Sequence, residues 1–111
     1  MLKTVTLNRN GDFRRIYARG RSFAHPALVT YVTKSRAGIC RIGITASKKI
    51  GGAVVRNRAK RVIRAAYARV EPKINGNWDI VFVARARTAP ARSTDVARVM
   101  HGQLKAAGLI L

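Results

Sequence analysis

Apolar positions along the chain change period several times, and each change marks an element. Phe13, Ile16 and Tyr17 recur at helical spacing behind Asn10-Gly11-Asp12, which predicts a short helix with a polar cap, closed by Gly20. From Ala27 to Lys34 the pattern alternates instead. Val29 and Tyr31 share one face and Leu28, Thr30 and Val32 the other, as in a strand rich in β-branched residues. A basic turn, Lys34 to Gly38, leads to a second alternating strand, Ile39 to Ala46. Cys40, Ile42, Ile44 and Ala46 face one way there, and Arg41, Gly43 and Thr45 the other. An added strand is allowed around Gly20 to Phe23.

After Gly51-Gly52 the period returns to that of a helix. Val55, Ala59, Val62, Ile63, Ala66, Tyr67 and Val70 form one continuous stripe over Ala53 to Val70, and Pro72 stops it. At about 100° per residue, Arg56, Asn57, Lys60, Arg61 and Arg64 gather on a separate face, while Arg58 falls at the opposite border of the stripe. Trp78 to Arg85 is apolar on both faces, which predicts a central strand, with Trp78 and Phe82 in packing roles. The turn Thr88 to Arg92 precedes a last helix, capped by Ser93 or Thr94, that carries Val96, Val99, Met100 and Leu104 and ends near Ala107. The order α-β-β-α-β-α implies an α+β fold, a small two-layer α/β sandwich formed as one domain over residues 1–111.

Charge changes the picture most. The 111 residues hold 23 Lys and Arg against 4 Asp and Glu, a formal net charge of +19. Between Asp12 and Glu71 there are fifteen basic residues and no acid. A surface built for solubility alone would intersperse both signs. A single-sign field of this extent suits phosphates, whose counterions are released as Lys and Arg replace them. Cys40 is the lone cysteine, which excludes an internal disulfide and fits a reducing compartment; it reads as an inert buried thiol. Met1 to Asn10 lacks the apolar run of a signal peptide. No stretch approaches the roughly 20 apolar residues that span a bilayer. A soluble, cytoplasmic protein without a membrane partner is expected.

Catalytic chemistry finds little support. Asp12, Glu71, Asp79 and Asp95 are scattered along the sequence, and neither His25 nor His101 has an acid or second histidine at motif spacing. Zinc spacing, a phosphate-binding glycine loop and a nucleophile motif are all missing, so the residues offer no catalytic set and no metal set. Binding features are richer. Ser47, Lys48 and Lys49 precede a glycine turn, and the helix that follows opens with Arg56-Asn57-Arg58-Ala59-Lys60-Arg61. A helix face with several cations and no acid at i,i+4 can touch phosphates at several points. Phe13, Tyr17 and Tyr31 are candidates for stacking unpaired bases, as well as for the core.

The run Ser47 to Arg64, SKKIGGAVVRNRAKRVIR, closely resembles the signature of the bacterial ribonuclease P protein family. DFRRIYARG at 12–20 is similar to that family's first helix, LVTYV at 28–32 to its first long strand and DIVFVAR at 79–85 to its last strand. Gly52 stands where Asn is usual, and Ala65 where Glu is frequent. The resemblance implies a left-handed β-α-β crossover, an exception to the usual handedness. It implies an endoribonuclease subunit whose partner is a large catalytic RNA, which holds the magnesium ions (Mg2+) and removes the 5′ leader of precursor tRNA. On this resemblance the protein alone is inactive, Phe13, Tyr17, Val29 and Tyr31 line a cleft for the leader, and Ser47, Lys48, Lys49, Arg56, Asn57, Arg58, Lys60, Arg61 and Arg64 contact RNA. The alternative is a ribosomal or other structural RNA-binding protein. A DNA-binding architectural protein follows, without a helix-turn-helix or wedge to support it, and a membrane-active peptide comes last.

Overall fold

A strand that is apolar on both faces needs cover on both, and Trp78–Ala84 has it. In the computed structural model, which describes residues 4–111, this strand is the middle one of five. The elements in chain order are β1 (Thr4–Thr6), α1 (Asn10–Arg19), β2 (Arg21–His25), β3 (Leu28–Lys34), β4 (Cys40–Thr45), α2 (Ala53–Val70), β5 (Trp78–Ala84) and α3 (Ser93–Ala106). The sheet order is β1-β4-β5-β3-β2. β1 and β5 run parallel to β4, while β3 is antiparallel to both β5 and β2.

The expected α-β-β-α-β-α order is present with two additions, β2 at the place where an extra strand was allowed and β1 ahead of α1. The caps differ from expectation. α1 starts after Arg9 and α3 after Arg92, and neither residue makes a side-chain cap. Asp12 and Asp95 instead sit inside the first turns, where the helix dipole favours an anion. Cys40 is half-buried rather than enclosed, and its thiol donates to the Gly76 carbonyl at 3.3 Å.

The alternation read from the sequence decides the layers. Leu28, Val32, Ile42, Ile80 and Phe82 turn to one face and pack with Ile63, Tyr67 and Val70 of α2 and Val96, Met100 and Leu104 of α3. This is the main core. The first turn and a half of α2 overhangs it, so Val54 and Val55 are exposed although Val55 belongs to the stripe. Tyr67 is fully buried, and burial pushes its hydroxyl up to about 12 although Thr4 hydrogen-bonds it at 2.9 Å. Among the described residues no helix is long and apolar enough to cross a membrane.

α1 lies on the opposite face over a much smaller core of Leu7, Ile16 and Val81, rimmed by Phe13, Tyr31 and Val83. A buried ion cluster completes its attachment. Asp79, with no exposed surface, accepts two hydrogen bonds from Arg41 at 2.8 Å each and one from Arg15 of α1 at 2.7 Å. Asp12 stands 3.8 Å from Arg15 and 3.9 Å from Arg41. The acids are therefore not all scattered: folding brings Asp12 and Asp79 to the same two guanidiniums. Burial alone would raise the Asp79 carboxyl, but the hydrogen bonds and charges of Arg41 and Arg15 outweigh it and hold the group below the usual carboxylate range. The same contacts raise Arg41 above its ordinary value.

Asp79→Asn keeps the shape and removes the charge, which strands two guanidiniums against the sheet. Chemical denaturation should show a loss of about 2–4 kcal/mol. Because the folded carboxyl is depressed, its contribution is complete above about pH 4 and fades as pH falls through the lowered value. The Asn variant should lack that part of the acid sensitivity. Equal stability and an unchanged acid profile would show that the cluster does not hold α1.

Candidate nucleic-acid interface

Strand register arranges the α1 face of the sheet in rows. Arg41, Asp79 and Thr33 form the first, Gly43, Val81, Tyr31 and Ser22 the second, and Thr45, Val83, Val29 and Ala24 the third. α1 covers the first two. Arg15 reaches Asp79, and the Phe13 ring lies directly over Gly43, where a Cβ would fall inside van der Waals contact of the ring. Tyr17 stands at the edge of this cover and is 39% exposed. Its ring meets Tyr31 edge-on at 4.9 Å, and its hydroxyl is 3.3 Å from the Thr45 hydroxyl. Phe13 follows at 6.5 Å from Tyr17, tilted and half-buried.

Beyond Tyr17 the third row is left as a floor. Val29 is nearly buried, Val83 and Thr45 are half-buried and Ala24 is exposed. The four expected cleft residues thus come together. Phe13 and Val29 serve mainly as packing under the aromatic edge, and Tyr17 and Tyr31 present ring surface. This wall is apolar and aromatic, with a hydroxyl pair at its rim, and can stack a base without reading its identity.

β4 carries the chain from this floor to the basic segment. Thr45 ends the strand, and Ser47, Lys48 and Lys49 follow, all exposed, the lysines in a 3-10 turn over Lys48–Ile50. Gly51, at φ 145°, makes a bend that L side chains rarely adopt. Gly52 is the N-cap of α2 and offers no side-chain acceptor. An Asn there would cap; glycine leaves the first N–H groups of the helix open at the rim.

On α2 the basic residues divide. The Tyr67 bond to Thr4 sets one flank toward β1. Asn57, Lys60 and Arg64 share that side by helical phase and Arg61 points outward, with Lys60 half-buried and the others exposed. Arg58 lies on the other flank, where its Nε donates to the Ala89 carbonyl at 2.9 Å and ties α2 to the loop before α3. Part of its guanidinium therefore serves the fold, and the side chain is otherwise exposed. Arg56 is half-buried, and its Nε is enclosed without a hydrogen-bond partner. Such a group is costly unless something completes it.

Some residues at this end were not singled out from the sequence. Leu28 pairs with Ala84, so the β2–β3 turn meets the end of β5, and His25, Arg85 and Arg87 line an open groove of about 480 Å³. The two basic residues following an apolar strand were the available signal. Conversely, Arg15 and Arg41 belong to the acid-free run, yet they spend their charge on Asp79. Among the described residues no three of His, Cys, Asp and Glu come together as a metal site. Among the described residues, the two carboxylates that approach each other, Asp12 and Asp79, are already held by guanidiniums, which makes them poor donors for a magnesium ion.

Known proteins share this fold. The family model for ribonuclease P matches residues 1–108. The ribonuclease P protein component of Clostridioides difficile (strain 630) is 38% identical over 104 residues, 93% of this chain and 91% of that protein. The structure of the Staphylococcus aureus RNase P protein superimposes with a TM-score of 0.81 at 32% identity, covering 96% of this chain and 97% of that one. The RNase P protein from Thermotoga maritima gives a TM-score of 0.78 at 27% identity, with 90% and 94% covered.

Gly43→Ala should push the Phe13 ring off the sheet and cost about 1–3 kcal/mol in chemical denaturation. The loss should shrink when Phe13→Leu is combined with it, because the smaller side chain vacates the collision. Additive losses in the double variant would mean that the two residues do not meet.

Proposed function

The chain belongs to the ribonuclease P protein family, a subunit of the endoribonuclease that processes transfer RNA, and we propose that within it the α1–sheet cleft holds the single-stranded 5′ leader of precursor tRNA. The observation that carries this reading is the floor of Thr45, Val83 and Val29 beside the exposed edge of Tyr17 and Tyr31, joined through β4 to an acid-free basic helix face. Tyr17 and Tyr31 stack leader bases, and Phe13 and Val29 shape the wall behind them. Ser47, Lys48, Lys49, Arg56, Asn57, Lys60, Arg61 and Arg64, with the free part of Arg58, engage phosphates of the leader and of the catalytic RNA. A phosphate or base acceptor entering from the rim would complete the enclosed Nε of Arg56.

Under this proposal the catalytic RNA cleaves the phosphodiester and holds the Mg2+, for which the protein's own donors are unsuited. The protein raises the local concentration of substrate and lowers phosphate repulsion between two RNAs. We place it in the cytoplasm, where precursor tRNA is made, with RNA rather than DNA as its partner. An aromatic floor for splayed single-stranded bases suits RNA with an unpaired end better than a stacked duplex. A purely structural RNA-binding role would not need such a floor beside the basic helix.

Purified protein with magnesium should not cleave precursor tRNA, and adding the cognate catalytic RNA should restore 5′ cleavage. Cleavage by RNA-free protein that survives repurification would refute the division of labour.

The two kinds of contact separate by leader length. Tyr17→Ala should weaken precursor binding by the holoenzyme about five- to a hundredfold when a leader is present, and leave tRNA without a leader unaffected. Arg61→Ala should instead weaken assembly with the catalytic RNA whatever the leader, and make the log–log salt slope shallower by about one unit. A uniform loss for Tyr17→Ala would indicate damage to the fold and end the cleft assignment.

A further inference from the structure

On the far side of the sheet from the cleft, a groove of about 340 Å³ runs between the end of α2 and the first half of α3. Arg69 and Lys73 stand along one wall and Arg98 and His101 along the other, with Thr94 at one end. The three cations are exposed and His101 is half-buried. Among the described residues, the side chains of Arg69, Lys73 and His101 make no hydrogen bond or ion pair, whereas Arg98 approaches Asp95 at 3.4 Å with both side chains largely in solvent. The remaining acids lie elsewhere: Asp12 and Asp79 serve the α1 cluster, and Glu71 is bonded by Thr4 of β1. Like charges gathered with one exposed carboxylate, Asp95, as counter-charge oppose folding, and an external anion reverses that cost.

Two further features orient the groove. Arg69 falls by helical phase on the flank of α2 that also carries Arg58, the flank turned to α3. The groove is therefore no extension of the Asn57–Lys60–Arg64 side. α3 also begins here: Thr94 lies in its first turn, whose N-cap Arg92 makes no side-chain cap, so the helix end adds N–H donors to the groove while Asp95 in the same turn offsets part of its dipole. A strand of RNA lying in the cleft is separated from this groove by the full thickness of the sheet and the helix layer.

We propose that the α2–α3 groove binds the phosphate backbone of a second RNA segment, so that the protein is held between two stretches of RNA on opposite faces. Arg69, Lys73 and Arg98 neutralise neighbouring phosphates, and His101 and the start of α3 supply hydrogen-bond donors. The groove does not depend on the leader assignment, since none of its residues touches the cleft.

The test uses reconstituted holoenzyme. Arg69→Glu/Lys73→Glu should reduce affinity for the catalytic RNA by about tenfold or more and make its salt slope shallower by about two units. Lys34→Glu/Arg36→Glu at the β3–β4 turn applies the same change of charge away from the groove and should cost less than about threefold. The leader-dependent part of precursor binding should survive in the groove variant, which keeps failure of the groove distinct from failure of the cleft. A loss confined to precursor binding would assign the second segment to the precursor instead of the catalytic RNA. Independently of variant stability, a hydroxyl-radical probe tethered at Thr94→Cys in a Cys40→Ser background should cut RNA at positions different from those cut from Ser47→Cys. Equal losses in the groove and control variants, or no RNA cuts from Thr94→Cys above background, overturn the proposal.

Discussion

A carboxylate without exposed surface, gripped by two guanidiniums, decides what the rest of this molecule can do. The main core needs no such device, because α2 and α3 cover one face of the sheet with a broad apolar layer. Among the described residues, the other face has a small apolar cluster of Leu7, Ile16 and Val81 sheltered under a ten-residue helix. Hydrophobic burial on that scale is a weak hold on a helix that must also keep its aromatic edge in place. Asp79 adds directional bonds at a fixed point of the central strand, through Arg15 on the helix and Arg41 on the neighbouring strand. An apolar contact can slide, but a bidentate arginine pair cannot do so without breaking. The cleft is therefore as wide as the Asp79 cluster and the Phe13–Gly43 contact make it.

The same arrangement explains how one small chain serves stacking and phosphate binding together. Parallel β4 and β5 require α2 to cross between them, and the crossover starts where the cleft floor ends. Thr45 faces Tyr17, and two residues later Ser47 opens the basic segment. Bases and backbone of one strand can thus be met by neighbouring parts of the fold without a flexible linker between them.

Much of this was legible in the sequence, and the limits have physical causes. The bounds of α2, the two faces of β3 and β4 and the central place of β5 follow from periodicity, which is local. β1 was not legible, because three residues, two of them threonine, gain strand character only by pairing with β4 far along the chain. Asp79 was visible as an acid inside an apolar strand, and Arg41 as a cation on an alternating one. Their partnership depends on register between strands, which no window of sequence contains. Arg58 shows a second limit: it sits in the most recognisable motif of the chain, yet its Nε donates to a backbone carbonyl at Ala89, which no spacing in the sequence announces. The resemblance located the family and named candidate residues, but not which cations the fold itself consumes.

The Arg15–Asp79 bond also sets an order of events during synthesis. The two residues are 64 positions apart, so α1 can meet β3 and β4 through Tyr31 and Gly43 before β5 supplies Asp79 and Val81. A chain emerging from the ribosome exposes residues 10–19 well before Asp79 is made, so the ion pair is the late part of the helix's attachment. In the interval the growing polypeptide carries a dense run of unneutralised cations and no finished stacking surface.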